Sequence, residues 1–173
     1  MIKVVFALSL FLVSCGPVQQ MTKLPFFDSA WQLQTNPFPP RQDVSTALKL
    51  FYNYWAFEFG DENQNLSKAF NNLMVDWREQ SRAGGTGYSI TGVKITDGII
   101  KGVTLSPGYI WVWKGKTEKI SATAFVHELM HIALWSVNGQ PDADHEGKKY
   151  KGWTPKHTEF MHKINYLLAE RGL

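Results

Sequence analysis

Apolar residues recur at spacings of three and four in three stretches of the chain. Ala47, Leu48, Phe51, Tyr54, Trp55 and Phe59 share one face of a predicted helix, with Asp43 or Ser45 placed to cap its start and the polar stretch 60–65 to end it. Val126, Leu129, Met130, Ala133 and Val137 form a second stripe, on a helix over 122–137 that Ser121 caps and Asn138-Gly139 stops. The third stripe is Phe160, Met161, Ile164, Leu167 and Leu168. It comes after Thr154 as N-cap and Pro155 at the first helical position, and ends near Gly172. Residues 66–77 fit two periods at once. Leu66, Ala69, Phe70 and Leu73 suit a helix, whereas Leu73, Val75 and Trp77 alternate like a strand, so the boundary stays open.

Strand-like runs at 88–95, 99–105 and 109–114, the last two separated by Pro107-Gly108, predict a small antiparallel sheet. Gly84, Gly85 and Gly87 before them read as a loop, without the Lys-Ser/Thr ending of a phosphate-binding loop or the spacing of a dinucleotide fingerprint. Alternation along 109–113 puts Tyr109, Trp111 and Trp113 on one face. The main expectation is that these rings pack against a helix. The other is that they line a cleft beside an edge strand that accepts an extended peptide.

The N-terminal residues have a different pattern. Lys3, an apolar run over 4–13, then Ser14 and Cys15 make a secretory hydrophobic segment too short to span a bilayer. From 16 to 42 the chain carries Pro17, Pro25, Pro37, Pro39 and Pro40 with no regular period, and reads as a tether with docking aromatics such as Phe26, Phe27 and Trp31. The expected organisation is a signal peptide over 1–14, an anchor and tether over 15–42, and one domain over 43–173. A chain of 173 residues with 44% hydrophobic and 19% charged residues suits one globular module rather than two, and a monomer is expected. Its 18 basic residues against 15 acidic are scattered, with no basic stripe for nucleic acid. Cys15 is the only cysteine, so no intramolecular disulfide or cysteine-based metal site can form. Any metal must be held by His, Asp or Glu.

The second helix contains His127-Glu128-Leu129-Met130-His131. Four residues is slightly more than one turn, so both imidazoles can reach one zinc ion, with Glu128 beside them as general base. A catalytic site needs a third protein ligand. Loop length favours His145, within Asp142-Ala143-Asp144-His145-Glu146-Gly147, because an acidic loop can fold back on the motif and Asp142 or Asp144 can orient its imidazole. His157 is the alternative, favoured by the core residues behind it, and Glu159 ranks third. His157 or Tyr150, if not a ligand, could donate to an oxyanion. Leu134 and Val137 occupy the offsets where a metzincin carries Gly and a third His, and the acidic loop lacks the twelfth-position Glu of an EF-hand.

Two resemblances add to these readings. Leu12-Val13-Ser14-Cys15 resembles the lipobox of bacterial lipoproteins, which implies cleavage before Cys15 and acylation of that residue. Gly16 rather than Asp at the next position implies an outer-membrane anchor facing the periplasm. The stretch HELMHIALWSVNG, with Ala133, Trp135 and His145 fourteen residues after His131, resembles SprT-like and Spartan-type zincins, and residues 157–165 are similar to the segment just after that family's third His. This second resemblance covers about a third of the chain. It implies an α+β, single zincin-like domain in which a small antiparallel sheet packs on the motif helix, with N- and C-terminal helices beside it. The implied activity is zinc-dependent hydrolysis of peptide bonds in the bacterial cell envelope. The alternative is a non-catalytic zinc-containing lipoprotein that binds peptide or peptidoglycan stems, and Glu128→Gln separates the two.

Overall fold

The computed structural model describes residues 21–26, 29–34, 41–61, 63–88, 94–117, 119–140, 145 and 152–173. The chain is α+β. Its strands are β1 (Met21–Phe26), β2 (Ser29–Gln34), β3 (Met74–Arg78), β4 (Arg82–Tyr88), β5 (Lys94–Ile100), β6 (Gly102–Ser106) and β7 (Tyr109–Trp113). Its helices are α1 (Arg41–Glu58), α2 (Asn65–Asn71), α3 (Phe125–Asn138) and α4 (Pro155–Glu170). One sheet has the order β1-β2-β3-β7-β6, and β4 and β5 form a separate ribbon.

Alternation decides which sheet face is buried. Val75 and Trp77 in β3 are buried while Met74 is only partly so and Arg78 is exposed. The register sets Val75 beside Ile110 and Trp77 beside Val112, so these four side chains share one face. That face meets the helices: the Trp77 ring lies 5.3 Å from that of Phe125 in α3. Phe51 and Trp55 of α1, Leu129 and Ala133 of α3, and Phe160 and Ile164 of α4 complete one continuous core. Within it Phe51 and Phe160 meet edge to face at 5.2 Å, a favoured geometry for aromatic pairs.

The sheet is mixed rather than antiparallel. β3 pairs parallel with both β2 and β7, because α2 lies before β3 and the β4–β5 ribbon lies between β3 and β7 in the chain. Within this sheet the β6–β7 hairpin and β1–β2 are antiparallel, as is the separate β4–β5 ribbon. Strand β7 is therefore internal and presents no free edge for a peptide. Its alternate rings lie away from the face that Ile110 and Val112 turn to the helices. Tyr109, Trp111 and Trp113 pair with Met74, Asp76 and Arg78 on the face opposite the core. There the Tyr109 hydroxyl donates to Asp76 Oδ2 at 3.1 Å and the Arg78 guanidinium lies 4.8 Å from the centre of the Trp111 ring.

Other elements also depart from the sequence reading. β1 and β2 fall inside the segment read as a tether. Pro25, which has no N–H to give, sits in β1, the sheet's edge strand. Gly84, Gly85 and Gly87 belong to β4, whose pairing with β5 is interrupted by register shifts on either side of Gly85. The ambiguous stretch resolves at Asn72: helix before it, strand after it. Asp61 holds the start of α2 by accepting from the Leu66 and Ser67 amides, both at 3.1 Å. Ser121 does not cap α3. It lies in a 3-10 turn (Ile120–Ala122), and its amide and hydroxyl both donate to the Leu173 carbonyl, fastening the end of α4 to the approach to α3. Gly139, with φ of 72°, ends α3 as expected, and its amide returns to the Trp135 carbonyl.

Among the described residues no helix is long and apolar enough to cross a membrane. Cys15, Asp142, Asp144 and Tyr150 lie outside the described residues.

Candidate metal centre

His127 and His131 lie on α3, one turn apart, with their Nε2 atoms 3.2 Å from each other. His145, from the segment between α3 and α4, adds a third Nε2 at 3.2 Å from that of His127 and 3.1 Å from that of His131. Its φ of 36° is in the left-handed region, which side-chain-bearing residues seldom adopt, so the backbone turns sharply where this ligand is presented. His131 and His145 are buried and His127 is partly exposed.

These three residues are the group among the described residues that could hold a metal ion. The donor spacing tests the fit. A four-coordinate ion with bonds of about 2.0–2.1 Å to imidazole separates neighbouring nitrogens by about 3.3–3.4 Å. The observed 3.1–3.2 Å is close to that. Three imidazole nitrogens aimed at one point also suit a shared cation better than hydrogen bonds among themselves, because each bond between two of them needs one to be protonated. Burial, then the nearby His131 and His145, holds His127 well below its usual pKa and so in the neutral form a metal requires.

Trp153 walls the cluster. Its ring lies 5.3 Å from that of His127, 5.1 Å from His131 and 4.6 Å from His145, and its Nε1–H donates to Thr158 Oγ1 at 2.9 Å. Sequence reasoning missed this residue. The available signal was its place just before the Thr154 N-cap, where an apolar side chain often contacts the fourth helical residue, here Thr158.

Glu128 is next to His127 in the chain and is 2% exposed. Burial pushes its carboxyl up to about 8, against a partial lowering by the Thr104 hydroxyl. That hydroxyl, from β6, lies 2.8 Å from Glu128 Oε2 and 3.2 Å from the Glu128 carbonyl oxygen. Thr104 was also absent from the sequence reading.

His157 does not join the cluster and is no alternative third ligand. It occupies the third position of α4, where its Nδ1 accepts from the Thr154 amide at 3.0 Å and lies 2.8 Å from the Thr154 hydroxyl. Its ring stacks on Phe59 at 4.5 Å and Trp55 at 5.6 Å. Imidazole thus takes the part that Glu or Gln plays in a capping box, and local helix chemistry outcompetes metal binding for this side chain. Glu159 and His162 are exposed on α4 and likewise stand outside the cluster. No protein-family model, curated protein or solved structure matches the chain, so the three-histidine cluster is a candidate metal centre on its own geometry.

Proposed function

We propose that the chain is a zinc-dependent peptidase with a zincin-like domain, acting on peptide or protein substrates in the bacterial cell envelope. The observation that carries this reading is the convergence of three imidazole Nε2 atoms, two of them from the helix that also carries the buried Glu128. His127, His131 and His145 would hold the ion. When bound, it supplies Lewis acidity, which polarises a carbonyl oxygen and acidifies water.

The protein's own part is proton transfer and exclusion of bulk water. Glu128 takes a proton from the attacking water and delivers it to the departing amine. A carboxyl raised to about 8 by burial suits the delivery half of that cycle, and the accepting half needs the ionised form, which the charge of a cation held by the three histidines would favour. Trp153 closes one side of the cluster with an apolar wall, so charges formed there are poorly screened. Envelope anchoring rests on the lipobox resemblance around Cys15, and radiolabelled palmitate incorporation that disappears in Cys15→Ala tests it.

The deciding experiment is metal analysis of untagged protein, then a mass-spectrometric screen against a peptide library. About one zinc per chain is expected, lost in His145→Ala and kept in His157→Ala. Glu128→Gln should keep zinc while turnover falls by about two orders of magnitude or more. Zinc binding without turnover in any protein would support the alternative, a non-catalytic peptide or peptidoglycan binder. Absence of zinc uptake by folded protein would reject both.

A further inference from the structure

The Glu128 carboxylate is enclosed by a strand rather than by its own helix. β6 runs beside α3, and Gly102 and Thr104 lie two residues apart on it. Their partners across the hairpin are Val112 and Ile110, the two β7 residues on the helix-facing side, so Gly102 and Thr104 also face α3. Thr104 contacts one carboxylate oxygen, Oε2, at 2.8 Å. Gly102 receives the other. A Cβ on Gly102 would lie 2.6 Å from Glu128 Oε1 and 2.9 Å from Cγ, distances that real Cβ atoms essentially never show, and 3.0 Å from Cδ.

We infer that Gly102-Val103-Thr104 of β6 is a positioning device for Glu128: the missing side chain at Gly102 makes the space that the carboxylate fills, and the Thr104 hydroxyl fixes its rotation. The proposal rests on the peptidase reading only for the purpose of the device. Its geometry stands without it. Glu128 is the far end of a flexible side chain, so a methyl at Gly102 displaces the carboxylate more readily than it moves the backbone. The fold should survive the substitution while the carboxylate loses its place.

A double-substitution cycle on the metal-free full chain tests the contact without any assay of activity. Gly102→Ala is expected to lower the melting temperature by about 5 °C when Glu128 is present, and by less than half of that in a Glu128→Ala background, where the space is free. Equal losses in both backgrounds would overturn the proposal, because the methyl would then be meeting something else. If Gly102→Ala does not fold, Thr104→Val against Thr104→Ser carries the same cycle: Val should lose stability that Ser, keeping the hydroxyl, partly recovers, and the loss should shrink in Glu128→Ala. In the zinc-loaded enzyme, Gly102→Ala and Thr104→Val are expected to lower kcat by about 100-fold with KM and zinc content retained, and Thr104→Ser to restore most of it. A coupled cycle in a protein without turnover rejects the peptidase reading alone and upholds the contact. An additive cycle in an active enzyme rejects the positioning device alone.

Discussion

His157 shows how a single side chain can match a metal-site pattern and serve another purpose. Its Nδ1 accepts from the Thr154 amide, so the ring must stay neutral at that atom. Burial, with the nearby Lys156 charge, lowers its pKa from 6.5 to about 4. A folded-state pKa below the unfolded value means that this contribution to stability is complete above pH 6.5 and is lost as the pH falls toward 4. His157→Gln keeps an acceptor that does not titrate. Thermal melts across that interval should therefore show a smaller acid loss in His157→Gln than in the parent, whatever the offset between them. Equal slopes would show that the Thr154 contact does not depend on a neutral ring. At this scale the sequence was most readable where chemistry is local. The spacing of His127 and His131 converts directly into adjacency on a helix. Thr104 reaches Glu128 across a separation of 24 residues, from a strand to a helix, and no local pattern encodes such a contact.

At the scale of elements, long apolar periods translated well and short ones did not. α1, α3 and α4 bury most of the stripe that their spacing marks out, with Tyr54, Phe59 and Leu167 partly buried and Val137, at the end of α3, 62% exposed, and the Thr154-Pro155 and Asn138-Gly139 signals coincide with helix ends. α2 has only seven residues, too few for a period to separate helix from strand, and what holds it lies outside it. Asp61 accepts from two amides of its first turn. Asp61→Ala should cost about 1 kcal/mol in urea unfolding, and Asp61→Asn, which leaves an acceptor, clearly less. An undetectable loss would mean that water replaces the carboxylate at no cost. Strand pairing was the least legible feature. The glycine-rich β4 has almost no side-chain pattern to read, and the parallel partnership of β3 with β7 is a choice among distant segments that alternation alone does not make.

Across the whole molecule, the candidate metal centre and the deepest sheet pairing differ in how much chain they close. The histidine cluster joins residues 18 positions apart. β3 and β7 meet only after the ribbon and β6 have been bypassed, and β7 then lies between β3 and β6. Forming such a parallel, non-local pair is slow, because loop closure must precede its reward. This topology separates assembly from locking. The crossing barrier should be set by β3 finding β7, with the three imidazoles converging afterwards. Stopped-flow mixing should accordingly give the same refolding rate with and without zinc, while unfolding slows at least tenfold once zinc is bound. Faster refolding in the presence of zinc would place the histidines in the nucleus instead. On this topology a bound ion would act as a latch on a finished chain, extending its lifetime without hastening its birth.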